Sequence, residues 1–342
     1  MTQSSDVASD FAIVTDGLSR SFRTYEKEPG FWGSVQGIWN RKYTEKMALQ
    51  PTSLKIQSGK IVGLVGANGA GKTTLLKLLS GLVHPTSGSA TVLGFKPWER
   101  RNEYLRQMSI LLGQKNQLWW DIAAADSFQL LGEIYDLDPK VVSQKVAELS
   151  EILDCSSVLK TQLRRLSLGE RMKMEIIGSL LHSPRVLFLD EPTIGLDIVA
   201  QTSIRKFIAE YVKRHHPTVI LTSHYMDDIS LLADQLLLIS KGNIVYNGTV
   251  GDFSRNQESL QRLSFSLSTP LGQDLQISGL QLKASQQEFN LQISKEQMPA
   301  LIGQVTQLQG IQNLKIEEAD FEDTIRQFLE KESRVFQTSS RH

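Results

Sequence analysis

Short, mostly apolar runs separated by helical patterns recur through the first 250 residues, and the pattern changes beyond them. Val62-Gly63-Leu64-Val65, Met108 to Leu112, Val186 to Leu189, Val219 to Thr222 and Leu236 to Ile239 carry no polar alternation. Such runs are expected of strands covered on both faces, as in a parallel sheet. Between them, Leu75 to Leu79 continues as a helix. From about 120 to 182, Phe128, Leu131, Ile134 and Tyr135, then Val142, Val146, Leu149 and Leu153, recur at helical spacing. This predicts a helical insertion between sheet strands. Phe11 to Val14 and Ser89 to Leu93 read as further strands, and Lys241-Gly242 as the turn of a hairpin closing the first domain near residue 250.

Beyond that point, alternation in Leu263 to Leu267 and Phe289 to Ile293 predicts half-buried strands. Leu301, Val305 and Leu308 predict a helix, Leu314 to Ile316 another strand, and Asp320 caps a final helix carrying Phe321, Ile325, Phe328 and Leu329. The expected architecture is an α/β domain over 11–250 and a small α+β domain over 251–342, after a loose tail at 1–10. Residues 24–46 form an insertion. Phe31, Val35, Ile38 and Trp39 recur there at helical spacing, with Trp32 and Tyr43 adding aromatic character. Such a helix suits either a membrane surface or partner, or its own domain.

Composition narrows the function. The 342 residues hold 37 Lys plus Arg and 37 Asp plus Glu, so no overall basic field points to nucleic acid. Cys155 is the one cysteine, which excludes an internal disulfide and fits a reducing compartment. The N-terminal residues lack the basic-then-apolar order of a signal peptide, and no apolar run is long enough to span a bilayer.

The chemistry centres on Gly66-Ala67-Asn68-Gly69-Ala70-Gly71-Lys72-Thr73-Thr74. It follows an apolar strand and opens a helix, the context a phosphate-binding loop requires. The glycines allow close backbone approach to a polyphosphate, Lys72 supplies a point charge, and the Thr73 hydroxyl suits Mg²⁺. The strand 186–189 ends in Asp190-Glu191, at the sheet edge where ligands collect in α/β folds. Asp190 suits Mg²⁺, and Glu191 suits the orientation or deprotonation of water. His224 follows the strand 219–223 at the same edge, within reach of a γ-phosphate. Ser167 is placed to cap a helix. Phe22 is either a base-stacking aromatic or a core side chain.

Taken in order, these motifs closely resemble the nucleotide-binding subunit of an ABC transporter. The resemblance makes Gln114 the Q-loop, Leu166-Ser167-Leu168-Gly169-Glu170 the signature, Asp190-Glu191 the Walker B pair, Ile194 to Asp197 the D-loop and His224 the switch histidine. The signature departs from the commonest LSGGQ form at Leu168 and Glu170. Phe22 would be the base-stacking aromatic, with Tyr25 a competitor.

The resemblance implies a P-loop NTPase fold, a RecA-like core with antiparallel β and helical subdomains. It implies ATP bound by Phe22, residues 66–74 and, across a dimer, Ser167, Gly169 and Glu170. Mg²⁺ would be held by Thr73, Gln114 and Asp190, and Glu191, His224, Gln114 and Asp197 would serve hydrolysis. The partners would be a second cassette, as a homodimer, and separate permease chains, contacted through Gln114 and 116–120 on the cytoplasmic face of the membrane, with no nucleic acid. The C-terminal piece looks like the accessory domain of ABC-2-type exporters. An importer cassette, a soluble ABC ATPase of translation or DNA repair, and a P-loop kinase are the alternatives. The soluble ATPases usually carry two cassettes or a coiled coil, and kinases lack the signature.

Overall fold

The computed structural model describes residues 10–25, 43–113, 116–256, 260–277, 280–318 and 321–339. The chain divides into two compact units, Met1–Asn247 and Gly248–His342. Among the described residues, no helix is long and apolar enough to cross a membrane.

The first unit begins with β1 (Phe11–Tyr25) and β2 (Tyr43–Gln57), then β3 (Ile61–Val65), α1 (Lys72–Leu79) and β4 (Ser87–Val92). A one-turn α2 (Asn102–Leu105) leads into β5 (Met108–Leu112). The helices α3 (Ala124–Tyr135), α4 (Pro139–Ile152) and α5 (Leu168–Leu180) follow before β6 (Val186–Asp190). Then come α6 (Ile198–His215), β7 (Thr218–Thr222), α7 (Met226–Leu232), β8 (Gln235–Ser240) and β9 (Asn243–Thr249). A six-stranded sheet has the order β5-β6-β7-β3-β8-β9, and β5, β6, β7, β3 and β8 run parallel. Every residue of β3, β6 and β7 is buried, which is why these strands are apolar without alternation. A second, antiparallel sheet has the order β2-β1-β4. One core joins the two sheets to α1: Ile13, Leu18, Leu49, Ile56, Leu75, Leu79, Phe188 and Leu237 are all buried in it.

Two expectations change. The strands β1 and β2 run into the segment 24–46, pairing Thr24 with Thr44 and Tyr25 with Tyr43, so its two ends are β-ladder. Residues 26–42, with Phe31, Trp32, Val35, Ile38 and Trp39, lie outside the described residues, as do residues 1–9 and Asp320. In α3, Phe128 is buried but Ile134 is 63% exposed, contrary to the periodicity. Gly132 lies on the buried face, where α4 packs so closely that an added Cβ would lie 2.8 Å from Val142. Ile134, two residues on, stands about 200° round the helix from it, on the outer side. On α4 itself Val142, Val146 and Leu149 are buried as the spacing predicts, and Asp138 caps the helix by accepting from the Lys140 N–H at 2.7 Å.

The second unit comprises α8 (Val250–Asn256), β10 (Leu260–Leu267), β11 (Leu275–Ile277), β12 (Leu280–Leu282), β13 (Glu288–Ser294), α9 (Met298–Val305), β14 (Ile311–Glu318) and α10 (Phe321–Ser339). The strands β13-β10-β14 form an antiparallel sheet and β11-β12 a separate hairpin. Leu263, Phe265 and Phe289 face Leu301 and Val305 of α9 in its core, the alternation read from sequence. Asp323 in the first turn of α10 pairs with Arg262 of β10.

Candidate active site

The loop between β3 and α1 is built from backbone. Gly69 and Gly71 have φ of 77° and 116°, where a side chain is strained, and an added Cβ on Gly66 would lie 2.2 Å from the Ile239 carbonyl oxygen. The N-terminus of α1 has no side-chain cap and no acidic residue in its first turn. Its N–H groups and the positive end of its dipole are thus available to an anion. Lys72 is buried and donates through Nζ to the Gly66 carbonyl at 2.7 Å, more distantly to that of Ala67 at 3.4 Å. Burial draws its pKa below the ordinary lysine value, while Glu191 and Asp190 push it back up. Asn68 is exposed at the loop tip, Ala70 is buried and Thr74 half-buried.

Asp190, the last residue of β6, is held by two hydroxyls. Thr73 Oγ1 donates to one carboxylate oxygen at 3.0 Å, and Thr222 Oγ1 at the end of β7 donates to the other at 2.7 Å. Glu191 follows with φ 58°, a left-handed conformation uncommon for a side-chain-bearing residue. Its N–H donates to the hydroxyl and carbonyl oxygens of Thr222 at 3.0 and 3.1 Å, fixing that turn. The turn brings the Glu191 carboxylate to 2.8 Å from Nε2 of His224, which follows β7. Adjacent parallel strands therefore deliver Lys72 and Thr73, Asp190 and Glu191, and His224 to one sheet edge. A hydroxyl and a carboxylate 3.0 Å apart are both hard oxygen donors, the set Mg²⁺ takes beside phosphate and water.

The other predicted residues stand apart. No hydrogen bond or ion pair among the described residues joins Ser167, Gly169 or Glu170 to residues 66–74. Ser167 caps α5 through a capping box: its hydroxyl accepts from the Glu170 N–H at 3.3 Å, and its own N–H donates to the Glu170 carboxylate at 2.9 Å. Those bonds from Ser167 hold the Glu170 pKa below the usual carboxylate value. Asp197 caps α6, accepting from the Ala200 N–H at 2.9 Å. Phe22 is on β1 and 37% exposed, with the Arg20 guanidinium 4.6 Å from its ring centroid, so it is not a core aromatic. Gln114 lies outside the described residues, and of Tyr25 only the backbone pairing is described.

Sequence reasoning missed two buried acids and a threonine. Thr222 is visible only once β7 is known to neighbour β6. Asp228, 1% exposed on α7, is chemically indistinguishable in sequence from its neighbour Asp227. Glu175 on α5 accepts from the Gln117 N–H at 3.1 Å and the Leu118 N–H at 3.3 Å, and burial raises its pKa. A charge among Met172, Met174, Ile176 and Ile177 was its one signal.

Residues 49–194 match the ABC transporter family. The chain is 30% identical over 224 residues to the ABC transporter ATP-binding protein NatA of Bacillus subtilis (strain 168), spanning 64% of this chain and 91% of that protein. The chain belongs to the ABC transporter ATP-binding proteins. As an ABC subunit it binds nucleotide and is an ATPase that powers a membrane permease. It is also 32% identical over 213 residues to the daunorubicin resistance ATP-binding protein DrrA3 of Streptomyces coeruleorubidus, covering 62% of this chain and 66% of the relative. In fold it is similar to an ATP-binding cassette solved as a dimer in a post-hydrolysis state with ADP and Pi. The TM-score there is 0.58 at 17% identity, covering 69% of this chain and 98% of the other. The P-loop NTPase fold expected from the motifs is therefore this ABC subunit's fold.

Proposed function

We propose that this ABC subunit hydrolyses ATP at the edge formed by β3, β6 and β7, and that a second copy of the chain completes the site. The observation that carries the reading is the Glu191 carboxylate 2.8 Å from His224, beside an Asp190 already bonded to Thr73. ATP lies with its phosphates over residues 66–74, held by backbone N–H groups and Lys72, and its base against Phe22. Thr73, Gln114 and Asp190 would hold Mg²⁺, which would supply positive charge against the β- and γ-phosphates. Glu191 accepts the proton of the attacking water, and His224 orients Glu191 and contacts the γ-phosphate.

Ser167 and Gly169 of the second copy close over the γ-phosphate, and Glu170 holds the Ser167 backbone for that contact. Asp197 presents the loop 194–197 to the other copy, so that ATP acts as a link between cassettes and its hydrolysis releases them. Residues 11–250 serve as the ATP-binding domain and 251–342 as an accessory domain. Gln114 and 116–120 contact separate permease chains at the cytoplasmic face of the membrane. The transport direction is export, a reading supported by the drug-resistance name of DrrA3. Glu191→Gln should bind ATP with unchanged affinity while turnover falls roughly 10²- to 10⁴-fold, the usual contribution of a general base. Near-normal turnover would remove Glu191 from the catalytic role.

A further inference from the structure

Asp228 has no part in the chemistry just described, yet it is 1% exposed and fully engaged. One carboxylate oxygen accepts from the Thr193 hydroxyl and from the Ser223 hydroxyl, both at 2.5 Å, and the other accepts from Nε of Arg205 on α6. Thr193 lies two residues beyond Glu191, and Ser223 immediately precedes His224. The Ser223 oxygen also accepts from the Tyr225 N–H at 3.0 Å, so both chain neighbours of His224 are tied to this carboxylate. Arg205 extends the connection. Its NH2 donates to Gln201 Oε1 at 3.2 Å, and Gln201 Nε2 donates to the carbonyl of Leu196, next to Asp197, at 3.0 Å.

We propose that Asp228, with Arg205 and Gln201, is a positioning network that sets the spacing of Glu191 and His224 and couples it to the loop 194–197. Two loops from different strands carry the reacting side chains, and one carboxylate fastens both. A displacement of either arm moves Glu191 relative to His224, and misplacement on the order of 1 Å costs about 10²-fold in rate. A displacement of the loop 194–197 reaches the same pair through Gln201 and Arg205. Asp228 touches neither substrate nor the reacting atoms, so its effect falls on turnover and leaves nucleotide binding alone. The proposal rests on Glu191 and His224 being the hydrolytic pair.

The test is the ATPase kinetics of the full chain carrying Asp228→Asn, Ser223→Ala, and both, assayed well below each variant's unfolding temperature, beside Glu191→Gln. Ser223→Ala leaves the Arg205–Asp228 ion pair intact and serves if Asp228→Asn does not fold. The expected result is a kcat lowered on the order of 10- to 100-fold in each single variant with KM for ATP held within about twofold. The double variant should be no slower than the worse single one, because both changes break the same arm. Folded variants with normal kcat, or losses that multiply in the double variant, would overturn the network while an inactive Glu191→Gln left the hydrolytic pair standing. An active Glu191→Gln would instead overturn the pair on which the proposal rests.

Discussion

Asp190 and Glu191 are adjacent carboxylates with different surroundings. Asp190 is buried and held by the hydroxyls of Thr73 and Thr222, whereas Glu191 turns out of the strand to meet His224. Thr222→Val removes the bond to Asp190 and the hydroxyl contact of the Glu191 N–H. It should cost about 1–3 kcal/mol, the usual consequence of stripping a partner from a buried polar group, measurable by denaturant unfolding. The acidic pair was legible because an apolar strand that stops at two carboxylates has few structural uses for them. Thr222 and Asp228 were not, since their partners are tertiary neighbours more than thirty residues away or, for Asp228, lie on α6 and two loops. Cys155 is a second residue whose environment governs it. Burial raises its thiol pKa from 9.0 to about 11, with Lys173 opposing and Asp154 and Glu170 adding. The folded state therefore keeps the proton longer than the unfolded chain. The thiol's contribution to stability is full below about 9 and is lost as pH rises toward about 11. Cys155→Ala should flatten the fall in unfolding midpoint across that interval, and an unchanged slope would contradict the assignment.

Among elements, α5 shows how a signature that departs from the commonest form still folds. Glu170 stands where that form has Gln, and its carboxylate closes a capping box on Ser167 that a glutamine closes equally well. Glu170→Gln should thus leave thermal stability within about 0.5 kcal/mol. Glu170→Ala, which loses the reciprocal bond, should cost about 1 kcal/mol. The neighbouring helices mark how far periodicity reaches. On α4 the predicted stripe is the buried one, so Leu149→Ala should cost about 2–5 kcal/mol. On α3 the buried face carries Phe128 and Gly132, and Ile134 stands well round the helix from both, so counting apolar residues overstated the stripe. Ile134→Ser should therefore change stability by no more than about 0.5 kcal/mol, and a larger loss would place Ile134 in the core after all.

At the scale of the whole molecule, polar-rich β2 (Tyr43–Gln57) left no strand signal, whereas the central parallel strands of the first unit were legible from their largely apolar runs. The sheet order β5-β6-β7-β3-β8-β9 was not, because pairing between strands distant in sequence leaves no local trace. That order is what gathers Thr73, Asp190, Glu191 and His224. It does not bring Ser167 or Glu170 into hydrogen bonding with the phosphate loop, and a second copy supplies them in the account given above. The most direct test is the mass of the Glu191→Gln chain in solution by sedimentation, with and without ATP and Mg²⁺. The account predicts a monomer without nucleotide and twice that mass with it. A monomer under both conditions, with ATP demonstrably bound, would contradict it.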